Sequence, residues 1–263
     1  MGEDAFRTAV RDAVRKAREE GIPQLELEPI PALSKTGKDD RVLADPRIRS
    51  QKQEGLYYVE YKPLGGVPNM EVFRQLLGAA SQMEGAHLRL NADETCYIIN
   101  LTAEEARKVA ALTETDTART AFEHSVSCIG ATVCQQGLCD SHGALARIAA
   151  FLKEQGADTR YLPKCHFSGC PSTCTVQSLA ALGFRGAFTL VNGERASAFQ
   201  VYAGGSYAYG KEKISEPLAL IATARLPQFF LELNGILLEA AQPFTQWYPD
   251  HEEDFLALLK KYA

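Results

Sequence analysis

Two closely spaced cysteine pairs limit the fold of this chain more than any other feature of its sequence. Five residues separate Cys128 from Cys134, three separate Cys170 from Cys174, and 35 residues lie between the two pairs. Four thiolates grouped in this way predict an iron–sulfur cluster, which requires a fold that brings two distant loops to one place. The seven cysteines of the chain are an odd number, which argues against a disulfide framework.

Composition excludes several classes of protein. The chain has 263 residues, is 46% hydrophobic and carries a formal net charge of -5, which argues against a broad nucleic-acid-binding surface. No uncharged apolar run reaches the ~18 residues of a membrane span. The first residues lack the apolar core of a signal peptide. We therefore expect a cytoplasmic protein in a reducing compartment, with neither a membrane nor a nucleic acid as partner.

Residues 1–54 are predicted to be an N-terminal helix and an extended arm. Residues 4–20 have the pattern of an amphipathic helix, with Phe6, Val10 and Val14 on one side and Gly21 at its end. The segment from 22 to 54 is rich in proline and charge and has no periodic core pattern. It is interpreted as an arm on a folded surface, with a long disordered linker as the alternative.

Residues 55–117 are predicted to form half of a ferredoxin-like sandwich. The order is strand, helix, strand, strand, helix. Asn69 is a cap for the first helix, and the pair Thr102 and Glu105 has the pattern of a capping box for the second.

Residues 118–263 are predicted to form a second domain that carries all four paired cysteines. Asp140 or Ser141 caps a helix that ends near Gly156. A second helix is expected over 176–184, directly after the second cysteine pair. Further predicted elements are strands around 187–193 and 198–205 and helices around 216–241 and 251–262.

The second cysteine pair is expected on a helical turn. A spacing of four residues places both sulfurs on one face of a helix, and Pro171 suits its first position. Free amides there would point at an anionic cluster, and the small residues Gly169, Ser172 and Thr173 would let the backbone approach. Structural zinc is an alternative, although five intervening residues are many for a zinc knuckle. Buried cysteines without a ligand are another.

The C-x5-C pair followed by GCP-x2-C resembles the siroheme-dependent sulfite and nitrite reductases. Residues 55–113 look like the ferredoxin-like half-domain of that family. Residues 118–263 are similar to its cluster- and siroheme-binding domain, including the segments LGFRGAF and VYAGG. The resemblance implies an α+β protein in which a ferredoxin-like half-domain precedes an α/β domain that binds siroheme and a [4Fe–4S] cluster.

The resemblance also implies roles for the cysteines. The cluster ligands would be Cys128, Cys134, Cys170 and Cys174. The last of these, Cys174, would be the bridging thiolate that also binds the siroheme iron. Two residues depart from the family pattern, since Ser172 stands where an Asn is usual and Thr175 where a Gly is common.

Three further cysteines match no ligand position and are interpreted as buried thiols. These are Cys96, Cys139 and Cys165. An approach of Cys165 to the cofactor is the alternative.

Basic residues are expected around the bound anion, because oxyanion reduction needs cations that hold oxygens and deliver protons. By resemblance the catalytic set is Lys62, Arg119, Lys164 and His166. Lys164 and His166 are two residues apart on a predicted strand and so face the same way. His166 in place of a second Lys would be a proton donor near neutral pH. For each residue alone, a solvated surface charge is the alternative.

Other residues are predicted to bind the cofactor. Arginine suits carboxylates by its bidentate geometry, and siroheme is rich in carboxylates. The basic candidates are Arg47, Arg49, Lys52 and Arg89. Gly204 and Gly205 either let the backbone approach the macrocycle or form a plain turn.

The resemblance implies six-electron reduction of sulfite to sulfide, with nitrite reduction to ammonia as the alternative. A non-catalytic electron-transfer subunit and a zinc-stabilised interaction module are the competing classes. No flavin or nicotinamide fingerprint is present, so electrons would come from an external donor such as ferredoxin or a reductase. Family enzymes carry two repeats and this sequence shows one, which predicts a homodimer. A monomer whose arm covers the open sheet edge is the alternative.

Overall fold

The structure is a computed structural model that describes residues 2–22, 27, 32–37 and 43–263. Residue contacts divide the chain into two units, residues 1–34 and residues 35–263. The first unit contains helix α1 (Glu3–Glu19), which confirms the predicted N-terminal helix and has no buried residue. The predicted arm lies partly outside the described residues.

The first sheet lies in the second unit and has four antiparallel strands. They are β1 (Ile48–Ser50), β2 (Tyr57–Tyr61), β3 (His87–Leu90) and β4 (Cys96–Leu101). Their order is β1-β2-β4-β3, so β1 and β3 are edges. Two helices accompany the sheet, α2 (Met70–Ala80) and α3 (Ala103–Leu112). Val59 and Ile98 from the sheet pack with Leu76 and Val109 from the helices in one buried core.

Both predicted helix caps of this region are confirmed. The Asn69 side chain accepts hydrogen bonds from the backbone amides of Glu71 and Val72. Thr102 and Glu105 form the reciprocal capping box at the start of α3. These local bonds satisfy amides that a helix start would otherwise leave free.

The second sheet has five strands in sequence order. They are β5 (Val126–Ser127), β6 (Cys165–Ser168), β7 (Leu182–Val191), β8 (Glu194–Ala203) and β9 (Pro217–Ala222). The first three are parallel, and β8 and β9 continue the sheet antiparallel. Its helices are α4 (Ser141–Glu154), α5 (Leu226–Ala240), α6 (Phe244–Trp247) and α7 (Glu252–Tyr262).

An aromatic core holds the second sheet to its helices. Phe167 on β6 stacks on Phe184 on β7 with ring centroids 4.4 Å apart, and both contact Phe230 of α5. All three rings are fully buried. Each buried ring contributes both apolar area and a ring–ring term of about 1 kcal/mol. This packing makes β6, the strand that leads into Cys170, a rigid platform.

The helix predicted over 176–184 is wrong. Only Gln177–Leu179 form a short 3-10 helix, and β7 begins at Leu182. The apolar run suits a buried parallel strand as well as a helix, and pairing with β6 decides for the strand. Gly183 is pressed against this segment, since a Cβ there would lie 2.1 Å from the Gln177 carbonyl oxygen.

The helix predicted around 216–241 begins later than expected. Residues Pro217–Ala222 form the edge strand β9, and α5 starts at Leu226. Proline at the first residue of an edge strand costs no ladder hydrogen bond. The helix expected around 251–262 is confirmed as α7. None of the helices in the described ranges has the length and apolarity that a bilayer crossing requires.

Candidate functional site

The two cysteine loops start at the same edge of the second sheet. Cys128 directly follows β5, and Cys170 follows β6 by two residues. Because β5 and β6 are parallel neighbours, their carboxyl ends lie side by side. The crevice beyond the carboxyl ends of parallel strands is where open α/β sheets bind ligands. The fold therefore brings together loops that are distant in sequence.

Gly169 joins the two loops. Its amide lies 3.1 Å from the Cys128 sulfur, and its carbonyl oxygen accepts from the amides of Leu138 and Cys139 at 3.1 and 2.9 Å. A Cβ at this position would lie 2.6 Å from the Cys139 carbonyl oxygen. Only glycine fits this contact without a backbone shift. The loop of the first cysteine pair is thus pinned to the residue before Cys170.

The loop of the second cysteine pair is not helical, so the predicted helical turn with Pro171 at its first position is wrong. Thr173 and Val176 both have left-handed backbone conformations, with φ of 53° and 51°. Left-handed residues interrupt a right-handed helix. The segment forms consecutive turns instead, which leave Cys170 buried and Cys174 exposed.

All seven cysteines are free thiols. Cys96, Cys139 and Cys165 are buried, as predicted, and burial raises the pKa of each thiol. The Cys139 thiol also donates to the carbonyl oxygen of Ala187 at 3.1 Å. Buried, protonated thiols of this kind are unreactive, which separates them from the two loop pairs.

The four loop cysteines do not converge on one point. Within the described ranges, no three His, Cys, Asp or Glu side chains are placed to hold a single metal ion. Free thiols on two neighbouring loops are the donor type that an iron–sulfur cluster takes.

Lys62 and Lys164 both face carboxylates from the turn between β3 and β4. Lys62 is fully buried, and its Nζ lies 2.9 Å from Glu94 Oε2. Burial lowers the pKa of Lys62, and the Glu94 charge opposes that effect. The Lys164 Nζ lies 3.6 Å from Asp93 Oδ2. The second Glu94 oxygen accepts a hydrogen bond at 3.0 Å from the amide of Ser127, the residue immediately before Cys128.

His166 is held by the cysteine loop itself. Its Nδ1 lies 2.7 Å from the carbonyl oxygen of Thr175. Because a carbonyl only accepts, Nδ1 carries a hydrogen. Its Nε2 is buried and has no partner within the described part of the chain. Burial lowers the pKa of His166, and the charges of Lys164 and Lys62 lower it further. The structure thus brings Lys62, Lys164 and His166 together.

His124 belongs to the same cluster, and sequence reasoning missed it. Its Nδ1 lies 3.8 Å from Glu60 Oε1. Burial lowers its pKa, as do the charges of Lys164 and Lys62. His124 lies four residues before Cys128 and just before β5, and this closeness to a cysteine loop is the sequence signal that could have identified it.

Both lysines of this cluster, and His124, have a carboxylate beside them. The pairs are Lys62 with Glu94, Lys164 with Asp93, and His124 with Glu60. All three carboxylates come from the first sheet and its turn, and none was predicted. Carboxylates thus offset the charges of both lysines in this cluster.

Arg119 and Arg47 lie in a different network. Arg119 contacts Glu114 and lies 3.6 Å from Asp45. Arg47 is buried and pairs with the same two carboxylates, and it donates to Thr113 at 2.8 Å. Among the described residues, no hydrogen bond or ion pair links this network to Lys164 or His166. Its contacts join the segment just before β1 to the end of α3.

The other predicted cofactor residues have simpler surroundings. Arg49 is exposed on β1, Lys52 is exposed just after β1, and Arg89 is exposed on β3. Side chains at Gly204 and Gly205 would collide with the protein itself. At Gly204 the nearest atom to an added Cβ would be in the Tyr248 ring, 2.7 Å away. At Gly205 it would be the Ala180 carbonyl oxygen, 2.5 Å away. Packing within the chain thus accounts for both glycines.

Comparison with known proteins supports the resemblance seen in the sequence. No protein-family model matches the chain. The chloroplastic ferredoxin–nitrite reductase of Zea mays is 26% identical over 166 residues, which cover 60% of this chain and 29% of that protein. That of Spinacia oleracea is 24% identical over 215 residues, covering 78% and 34% respectively. The chain thus spans about a third of the length of these curated relatives.

Solved structures show the same fold. The Mycobacterium tuberculosis NirA protein superposes with a TM-score of 0.63 at 16% identity, covering 92% of this chain and 46% of that one. Dissimilatory sulfite reductase I has a TM-score of 0.54 at 7% identity, covering 79% and 70%. The predicted α+β fold class is confirmed, and so is the resemblance to nitrite and sulfite reductases.

Proposed function

We propose that this chain, which has the fold of the nitrite and sulfite reductases, is a cofactor-binding repeat of an oxidoreductase that reduces a small oxyanion by six electrons. The observation that carries the proposal is the meeting of two free-thiol loops at the carboxyl ends of β5 and β6, pinned by Gly169. Sulfite is the proposed substrate. Nitrite is the second candidate, because the curated relatives are named ferredoxin–nitrite reductases.

The four loop cysteines fit a [4Fe–4S] cluster. The proposed ligands are Cys128, Cys134, Cys170 and Cys174. Cys174, the exposed member, would hold the siroheme as well as the cluster. When bound, these groups would supply the electrons for the reduction. Arg49, Lys52 and Arg89 are exposed cations available to carboxylates of the macrocycle.

Lys62, Lys164, His166 and His124 form a basic cluster that is proposed to hold and protonate the anion. The ammonium of Lys164 attracts oxygens, since its Asp93 partner is 3.6 Å away and the pair is partly exposed. Lys62 is the more deeply buried cation, and Glu94 at 2.9 Å offsets its charge. His166 and His124 are the groups that exchange protons nearest neutral pH. Arg119 stays a prediction, with Glu114 and Asp45 beside it.

Electrons are proposed to come from a separate donor such as ferredoxin or a reductase subunit, in keeping with the names of the curated relatives. A second copy of the chain is proposed as the partner that adds a second repeat to this one. Light scattering on the cofactor-loaded protein tests the dimer, and a fully active monomer would exclude it. A reducing compartment suits seven free thiols and is proposed to be the cytoplasm.

The first experiment is a visible spectrum with iron, sulfide and zinc analysis of anaerobically purified protein. We expect siroheme bands and about four irons for the cluster. Cys174→Ser should lose the coupled siroheme signal, whereas the control Cys96→Ala, in the other sheet, should keep it. Zinc in place of iron, with no siroheme bands, would end the redox proposal.

The second experiment compares sulfite and nitrite with a reduced viologen as donor. We expect turnover with at least one anion and a loss of turnover in Lys164→Ala at unchanged cofactor content. Unchanged turnover in that variant would contradict the proposed anion site. Failure on both anions with both cofactors present would favour a non-catalytic electron-transfer subunit.

A further inference from the structure

The chain returns to strand β6 immediately after Cys174. Thr175, the next residue, makes three hydrogen bonds to that strand. Its carbonyl oxygen accepts from His166 Nδ1 at 2.7 Å, its amide donates to Ser168 Oγ at 3.2 Å, and the two hydroxyls lie 2.8 Å apart. The amide, the carbonyl oxygen and the hydroxyl of Thr175 thus all form hydrogen bonds to β6.

The strand that holds Thr175 is also the strand that leads into Cys170. His166 and Ser168 are two residues apart on β6, so their side chains share one face. Ser168 is fully buried, and β6 packs in the aromatic core through Phe167. The loop therefore leaves and rejoins the same rigid element.

The backbone on either side of this contact is in an unfavourable conformation. Thr173 and Val176 have positive φ although both are β-branched. Such residues avoid this region unless surrounding contacts hold them there. The three bonds of Thr175 lie between these two residues and supply that constraint.

We infer that Thr175, His166 and Ser168 form a clamp that sets the position of the Cys174 sulfur relative to Cys170. They are positioning residues, and His166 acts through the loop as well as through its proton. The role of Cys174 as a ligand rests on the proposed function, whereas the clamp itself rests on the hydrogen bonds of the chain.

The test uses three variants and one control in the full chain. Thr175→Val removes the hydroxyl and keeps the shape, Ser168→Ala removes the partner, and Thr175→Ser restores the hydroxyl. Ser172→Ala is the control, since Ser172 is exposed in the same loop and has no side-chain hydrogen bond among the described residues. Thermal melts establish that each variant folds.

The first readout is the rate at which iodoacetamide alkylates Cys174 in cofactor-free protein, resolved from the other thiols by mass spectrometry. Thr175→Val and Ser168→Ala should change this rate by about fivefold, as expected when one or two hydrogen bonds of a loop are lost. Thr175→Ser and Ser172→Ala should stay near the parent rate. Equal rates in Thr175→Val and the parent would overturn the clamp.

The second readout is the EPR spectrum of the cofactor-loaded protein. If Cys174 is a ligand, Thr175→Val should shift the g values and Thr175→Ser should restore them. A changed alkylation rate in protein that binds no cluster would uphold the clamp and refute the proposed function. If Ser168→Ala does not fold, the variants of the partly exposed Thr175 decide the test alone. A change of the alkylation rate in Ser172→Ala as large as that in Thr175→Val would also overturn the clamp.

Discussion

The cysteine loops and the basic cluster are built in opposite ways. The cysteine loops belong to one sheet and are joined by backbone amides and carbonyls around Gly169. The basic cluster spans both sheets, and its two lysines and His124 lie beside carboxylates from the first. The loops thus depend on close backbone contact, whereas the cluster depends on charge pairing between distant segments. Different substitutions should therefore break each region.

The largest effect is expected at Gly169. In Gly169→Ala the new Cβ would lie 2.6 Å from the Cys139 carbonyl oxygen and 3.4 Å from the Cys128 sulfur. Relieving this steric clash requires a backbone shift at both loops, which should lower the free energy of unfolding by about 2–3 kcal/mol. Urea unfolding measures this, and iron analysis should show reduced cluster content.

A matched glycine serves as its control. Gly78 lies within α2, and a Cβ there meets nothing within 4 Å. Gly78→Ala should stabilise the chain by about 0.5–1 kcal/mol, because alanine favours a helix. Similar free energies of unfolding for the two variants would show that Gly169 does not pin the loops.

The next effect is expected at Glu94. In Glu94→Gln the buried Lys62 loses its counter-charge, while the amide oxygen can still accept from Ser127. Breaking a buried pair costs several kcal/mol, and the partial exposure of Glu94 reduces this to about 2 kcal/mol. Anion affinity should rise several-fold at the same time, as measured by sulfite titration of the loaded protein.

Asp93→Asn is the comparison for that variant. The pair of Asp93 with Lys164 is longer, at 3.6 Å, and more exposed, so a smaller loss of stability is expected. Equal losses of unfolding free energy in Glu94→Gln and Asp93→Asn would mean that burial does not determine how much each ion pair stabilises the fold.

The smallest effect is a pH dependence of stability. Burial lowers the pKa of both His124 and His166 in the folded chain, so the unfolded chain binds more protons as the pH falls below about 6.5. Stability should therefore fall between pH 7 and pH 5, before the carboxylates titrate. Thermal melts across this range measure it, and His124→Gln should flatten the slope. A melting temperature that rises on acidification would contradict the burial of both rings.

Local signals in the sequence were sufficient for several elements. Asn69 and the pair Thr102 and Glu105 cap the helices as predicted, because a cap is formed by residues at most three apart. The segment 176–184 was mispredicted, because its apolar run is decided by pairing with β6. The left-handed residues Thr173 and Val176 give no signal of their own, since neither is a glycine.

By itself the sequence determined the cysteine spacing, the fold class and the resemblance to nitrite and sulfite reductases. Only the tertiary structure decided that Glu94 faces Lys62, 32 residues away, and that Thr175 returns to His166. Spacing and caps are properties of short segments, so they can be read along the chain. Which carboxylate meets which cation depends on how strands that are distant in sequence come together, and that contact exists only once the chain has folded.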